Sequence, residues 1–333
     1  MNETLGATFA RPERRDLSYA ICVQFLLLHL ACLLALLTGV SAVAVAVCLT
    51  LYVVRMFAIT AGFHRLFSHR SYRTGRVFQF LLAFVGTTSY QKGPLWWAAH
   101  HRRHHLHVDT AEDLHSPVMR SVWQSHVGWF LNRESQATDA RLIANLLKYR
   151  ELRWLDKYYV LPPLLLAAAT FLTGVLLGRY FPGSGTSGWQ MLVWGFFIST
   201  VLLYHGTFTV NSIAHLFGSR RFETADNSRN NLFVALITLG EGWHNNHHHY
   251  PSSERQGIYW WEVDFAHYTL RALSWVGVVR DLRTPPRSQE RAGGRAPLAS
   301  ADDAGVSGDE APPALPLHPD VSVAAIDGLT GIG

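Results

Sequence analysis

The chain has 333 residues, 49% hydrophobic and 16% charged, with 29 Lys+Arg against 24 Asp+Glu and 18 histidines. So little charge, set among long apolar runs, argues against a set of soluble domains and for a membrane protein. Three cysteines (Cys22, Cys32, Cys48), all inside apolar runs, exclude a disulfide scaffold.

Residues 1–16 are polar and carry Arg11, Arg14 and Arg15. Residues 17–37 hold no charge, and a helix of that length spans roughly 31 Å, enough for a hydrocarbon core. After a short break, residues 40–61 form a second predicted span with Arg55 its only charge. Two adjacent long spans speak against a cleaved signal peptide. Residues 62–157 are polar, except for an apolar stretch at 77–90 that is too short to cross and is expected as a buried or re-entrant helix. Residues 158–177 form the third predicted span, with Pro162-Pro163 near its start, where proline is tolerated. A turn-rich loop follows, and 189–210 is the fourth span. Residues 211–284 are mixed, and 285–333, rich in Pro, Ala, Gly and Asp, are expected to be a disordered tail.

The basic residues orient these spans. Fourteen lie in 62–157, whereas the short loops 38–39 and 178–188 together carry only Arg179. The positive-inside rule puts both termini and the polar segments in the cytoplasm. Topology thus accounts for the pI near 9.2, and a nucleic-acid role is not needed.

Histidines cluster on that side: His64 and His69; His101, His104 and His105; His215, preceded one turn earlier by Asn211; His244, His247 and His248. In HxxHH, positions i, i+3 and i+4 share a helix face, so each box is expected to aim three imidazoles one way. Two boxes facing each other would hold two metal ions, completed by His64, His69 and His215, with Asn211 ligating directly or through water. Imidazole suits Fe, Zn and Cu. Asp109, Glu112, Asp113 and Glu241 are placed to accept the second ring N–H of ligand histidines. His100, His107 and His249 fall outside the HxxHH register. His29 and His205 are expected as packed span residues, and His115, His126 and His267 as structural or supporting ones. Tryptophans at 96–97, 123, 129, 243 and 260–261 suit an interfacial belt, some of them lining an apolar channel.

The strings HRLFSH (64–69), WWAAHHRRHH (96–105), EDLHSP (112–117), SHVGW (125–129), NSIAHLFG (211–218) and GEGWHNNHH (240–248) resemble the membrane fatty acid desaturases, in particular the stearoyl-CoA (acyl-CoA Δ9) desaturase-like branch in its bacterial form. The resemblance covers roughly residues 40–280. It implies an all-α membrane protein: four transmembrane helices capped by a cytosolic helical domain (62–157 and 211–284) that holds a di-iron centre. The implied ligands are the nine box histidines, with Asn211 acting through water, and zinc is a substitute in recombinant protein. The implied reaction is O2-dependent removal of two hydrogens from adjacent methylenes of a saturated acyl chain, between C9 and C10. An unactivated C–H bond has no acidic proton, so acid–base side chains alone cannot cleave it.

The same resemblance places the acyl end near Tyr52 and Met56. Met56 stands where animal members have a small residue, which predicts a preference for C16 or shorter chains over C18. Lys92 and Arg133 are the expected headgroup contacts. Ala99-His100 replaces the Arg-Asp pair of the acyl-CoA members, so acyl-lipid or acyl-carrier-protein substrates stay open beside acyl-CoA. The tail lacks a heme-binding motif, and a separate electron donor of ferredoxin, rubredoxin or cytochrome b5 type is expected; a basic face that includes Arg102, Arg103, Arg220 and Arg221 suits either docking of that donor or contact with lipid headgroups. A hydroxylase could share the metal core. A zinc-dependent membrane protein would call for ionisable groups deep in the spans or an HExxH pair, and neither occurs beyond Arg55. The inner membrane of a bacterium is the expected location.

Overall fold

The computed structural model describes residues 16–286; the N-terminal arginines and nearly all of the expected tail lie outside the described residues. The chain is mainly helical, and among the described residues the only paired strands are Arg73–Thr74 and Val279–Arg280, antiparallel. Four helical runs are long and apolar enough to cross a bilayer: Tyr19–Thr38, Ala42–Ser68, Leu161–Tyr180 and Gly188–His215.

The second and fourth runs, 27 and 28 residues, overshoot the expected ends at 61 and 210. They carry His64 and His215 out of the apolar zone as continuous extensions rather than as loop residues. The extension of the second winds as a π-helix over Ala58–Ser68, every residue of it buried. Such wider turns re-aim side chains and recur at functional sites. The third run starts at Leu161, with Pro162 and Pro163 in its first turn, where no backbone partner is lost. The apolar stretch after 76 is a 12-residue helix, Arg76–Thr87, packed beside the second run.

Arg55 is the buried cation of the second span. It donates to Thr200 Oγ1 (2.8 Å), Ser199 Oγ (2.5 Å) and the carbonyls of Leu51 and Thr88. A cation in an apolar span persists only when its donors are so satisfied. The main core lies under the π-helix, where Phe63, Phe67 and Tyr72 pack on Leu82, Leu95 and Leu152.

Candidate metal centre

The second box sits on the helix Pro94–His107. Pro94 occupies its first turn, and the half-buried Asp156, far along the chain, accepts from the N–H groups of Leu95 and Trp96 (both 2.9 Å). This remote cap fixes the helix end. Burial raises the Asp156 carboxyl to about 6, against the backbone donors that hold it down. The fourth box is the short helix His244–His249. Asn245 Oδ1 accepts the N–H groups of Arg221 and Phe222 (both 2.8 Å), while Asn246 Oδ1 accepts from Asn230 Nδ2 (2.8 Å) and Arg221 (2.9 Å). The two asparagines between the histidines are thus the fasteners of the box. Gly240 before it has φ +134°, and a Cβ there would run into Asp264 and the Arg65 guanidinium.

The nine box histidines form two groups, each with ligand atoms within 4.8 Å of one another: His64, His69, His101, His105 and His247 in one, His104, His215, His244 and His248 in the other. Each could hold a metal ion. The expectation that each HxxHH box aims all three rings one way is corrected. The i and i+4 members go to one group and the i+3 member to the other: His101 and His105 meet His247, whereas His244 and His248 meet His104. Rings at i and i+3 diverge by about 60° around a helix of 3.6 residues per turn, and two crossed helices exploit that divergence.

The chemistry of the donor set fits metal. His64 Nδ1 lies 2.5 Å from Glu241, His104 Nδ1 3.0 Å from Asp113, His215 Nδ1 3.4 Å from Asp109 and His248 Nδ1 2.8 Å from Asp226. A neutral ring that donates through Nδ1 presents a lone pair at Nε2. Those Nε2 atoms crowd together: His64 to His247 3.2 Å, His215 to His244 3.0 Å, with His248 Nε2 buried and unpartnered. Facing lone pairs in a buried site repel unless a cation lies among them. Burial, followed by the neighbouring rings, holds His69, His101, His105, His244 and His247 well below the ordinary imidazole value. The neutral form is the one that ligates.

Burial alone would raise Asp109, Asp113 and Asp226. Attraction and hydrogen bonds from the facing histidines (His215; His115 and His104; His248) outweigh it and hold all three below the carboxylate range. Asp109, Asp113 and Glu241 therefore meet the rings assigned to them, whereas Glu112 bonds only to Thr110 nearby and reaches no box histidine. Asp226 was missed because it stands 22 residues before His248 in a segment without a motif. Arg65 was missed too: fully buried, it bonds to Glu241 (3.2 Å), Asp264 (3.0 Å) and the Glu254 carbonyl (2.6 Å), tying the first box to the fourth.

Beside the first group lies a cavity lined by Trp96, Trp97, Trp129, Phe130, Tyr204 and Phe208, with His101 and Asn211 at its wall. Lys92 is the one Lys or Arg side chain on that lining. Its Nζ lies 5.5 Å from the ring centroids of both Trp96 and Tyr159, and burial lowers it to about 8 against the pull of Asp156. Tyr52, Met56 and Arg133 do not line this cavity. Tyr52 donates to the Ile237 carbonyl (2.6 Å), and a Cβ at Gly206 would meet Tyr52 Oη at 2.6 Å and Met56 Cε at 3.0 Å. Arg133 is exposed and pairs with Asp16 (3.4 Å).

Of the four arginines expected on a basic docking face, Arg102 and Arg221 turn inward, while Arg103 and Arg220 stay at the surface. Arg102 turns inward to the Phe67, Ser68 and Leu142 carbonyls, Arg221 forms a two-pronged pair with Glu262 under Tyr259, Arg220 bonds to the Asp226 carbonyl and Arg103 pairs with Glu134. His29, His205 and His126 form a hydrogen-bonded string (3.1 and 3.0 Å) that ends on Ser212.

Four apolar helices carrying a histidine-lined, carboxylate-braced double site define a membrane protein with a candidate dinuclear metal centre. The family model described as "Fatty acid desaturase" matches residues 13–276. The chain is 35% identical over 285 residues, 85% of its length and 100% of the relative's, to the sn-1 stearoyl-lipid 9-desaturase of Anabaena variabilis. It is 36% identical to the enzyme of that name from Synechocystis sp., covering 81% of this chain and 82% of the relative, and 35% identical to an acyl-CoA 5-desaturase of Anemone leveillei, covering 79% of each. The chain belongs to the fatty acid desaturase family.

Proposed function

We propose that this chain is an O2-dependent di-iron desaturase that introduces a cis double bond between C9 and C10 of a saturated acyl chain. The observation that carries the proposal is the double cluster of histidine rings, four of which (His64, His104, His215 and His248) meet a carboxylate through Nδ1. Residues 17–284 act as one membrane unit, with both termini and the histidine-bearing cap on the cytoplasmic side of a bacterial inner membrane, as the charge distribution supports.

His64, His69, His101, His105 and His247 would hold one iron, and His104, His215, His244 and His248 the other, with Asn211 contributing through water. Bound iron supplies the redox chemistry with O2 that an unactivated C–H bond demands. The balance is acyl CH2–CH2 plus O2, two electrons and two protons, giving CH=CH and two waters. The protein's own share is positioning and exclusion. The tryptophan and phenylalanine walls keep water from the acyl chain and fix which methylene meets His101. Asp109, Asp113, Asp226 and Glu241 hold the ring tautomers. Tyr52 and Met56 lie outside that lining but pack against Gly206, between the lining residues Tyr204 and Thr207, and from there would limit the acyl path and favour C16 or shorter chains. A separate ferredoxin, rubredoxin or cytochrome b5 type protein delivers the electrons.

For the carrier, acyl-CoA is the expectation from the sequence, and the cavity's charge supports a membrane acyl-lipid better. Coenzyme A brings three phosphates, whereas the lining offers one ammonium, Lys92, and Arg133 lies outside it, paired with Asp16 at the surface. Expression in a host with a matching reductase, followed by gas-chromatographic mapping of the new double bond in lipid and CoA pools, tests the reading. Purified chain carries two irons, a Δ9 product appears in the lipid pool first, and His104→Ala abolishes it. A hydroxylated product, or full activity of His104→Ala, overturns it.

A further inference from the structure

A second cavity of about 240 Å³, which the desaturase reading does not use, is lined by residues from 66–79, 145–149 and 280–283. Its rim carries five cations, Arg70, Arg73, Lys148, Arg280 and Arg283, and no carboxylate lines it. Two of them are direct register partners: Arg73 faces Arg280 across the short antiparallel ribbon. Like charges directly opposite one another cost stability, and nothing in the packing requires them there. Among the described residues only Arg73 has an ion pair, a 3.5 Å contact with Asp281 between two exposed side chains.

The floor gives an independent pointer. Gln79 lines the cavity, is 8% exposed, and its Nε2 is buried without a hydrogen-bond partner. An orphaned buried donor costs free energy unless a ligand accepts from it. Gln79 stands in the first turn of the helix Arg76–Thr87. Exposed cations and a buried neutral donor on one lining are complementary to one chemistry, a phosphate. The helix that begins here is apolar and packed beside the second and third spans, with Val77 76% exposed, which sets the cavity at the edge of the bilayer.

We propose that this cavity binds a phosphate group, carried either by an anionic phospholipid headgroup or by a small soluble phosphate, at a site separate from the metal centre. The bound anion relieves the Arg73–Arg280 repulsion and ties residues 70–74 to 279–283, hence the strand after the first box to the C-terminal end of the cap.

The full chain is placed in phosphatidylcholine nanodiscs at fixed chloride ionic strength, and its unfolding midpoint is followed with inorganic phosphate in solution or with phosphatidylglycerol in the disc. The midpoint rises with at least one of them, and which one names the source. Arg280→Gln and Gln79→Leu weaken the apparent affinity by about tenfold or more, as loss of a charge-assisted or buried hydrogen bond implies. Arg280→Gln is also more stable than the wild type without anion. Arg271→Gln, an exposed cation off the cavity, responds like the wild type. A midpoint indifferent to both phosphate sources, or variants that respond as the parent does, overturns the proposal.

Discussion

The two histidine groups are unequally supported. The four-histidine group has three carboxylates behind it, Asp113 on His104, Asp109 on His215 and Asp226 on His248. The five-histidine group has one, Glu241 on His64, and Glu241 is itself shared with Arg65. A ring that donates to a carboxylate is a more basic ligand. One group therefore reaches its donor strength with fewer rings and more anionic backing, the other with an additional neutral ring. The same binding requirement is met by two different balances of charge.

The largest test removes a ring that crosses between helices. His247→Ala strips the first group of its only member from the fourth box, and desaturation falls below detection while iron per chain drops from two toward one, read by metal analysis. Arg65→Gln attacks the shared anion instead. It leaves Glu241 and Asp264 buried without their cation, a loss on the order of 3–5 kcal/mol, seen as a sharp fall in the unfolding midpoint. The carboxylate variants sharpen the contrast. Glu241→Gln and Asp226→Asn each weaken metal retention by roughly 10–100-fold in a chelator competition. Glu241→Gln also loses fold stability through Arg65, and Asp226→Asn does so far less.

Acid gives a smaller, graded effect. Burial keeps His69, His101, His105, His244 and His247 well below the ordinary imidazole value, and His248 is lowered to about 4, chiefly by burial and against the pull of Asp226. Between pH 6.5 and those depressed values the unfolded chain binds more protons than the folded one, so stability of the metal-free chain falls as pH falls through that window. Above it the imidazoles are neutral in both states and contribute no slope. A flat midpoint from pH 7 to pH 5 would contradict this. The smallest effect belongs to Met56→Ala, which is expected to raise the share of C18 over C16 product a few-fold; unchanged ratios sink the role assigned to Met56.

Much of this was legible beforehand. The histidine boxes could be read because their spacing repeats a helical turn, and the spans because twenty apolar residues have few other uses. The partition of each box between two groups could not, because it depends on how two helices cross. Asp226 and Arg65 were invisible for a related reason: each acts on a residue it meets only through tertiary contact, His248 in one case and Glu241 in the other. The arginines failed in the opposite sense. Arg102 and Arg221 count as surface charge by composition, yet their stems turn back to carbonyls and to Glu262, and charge counting does not see direction.

The exchange of rings between boxes also orders biosynthesis. Until the segment 244–248 leaves the ribosome, one group already owns His64, His69, His101 and His105, while the other has only His104 and His215. A nascent chain stalled before that point can trap an ion at the first position and has little grip at the second. The three-carboxylate group gains its full set of rings only once residues 244–248 have been made.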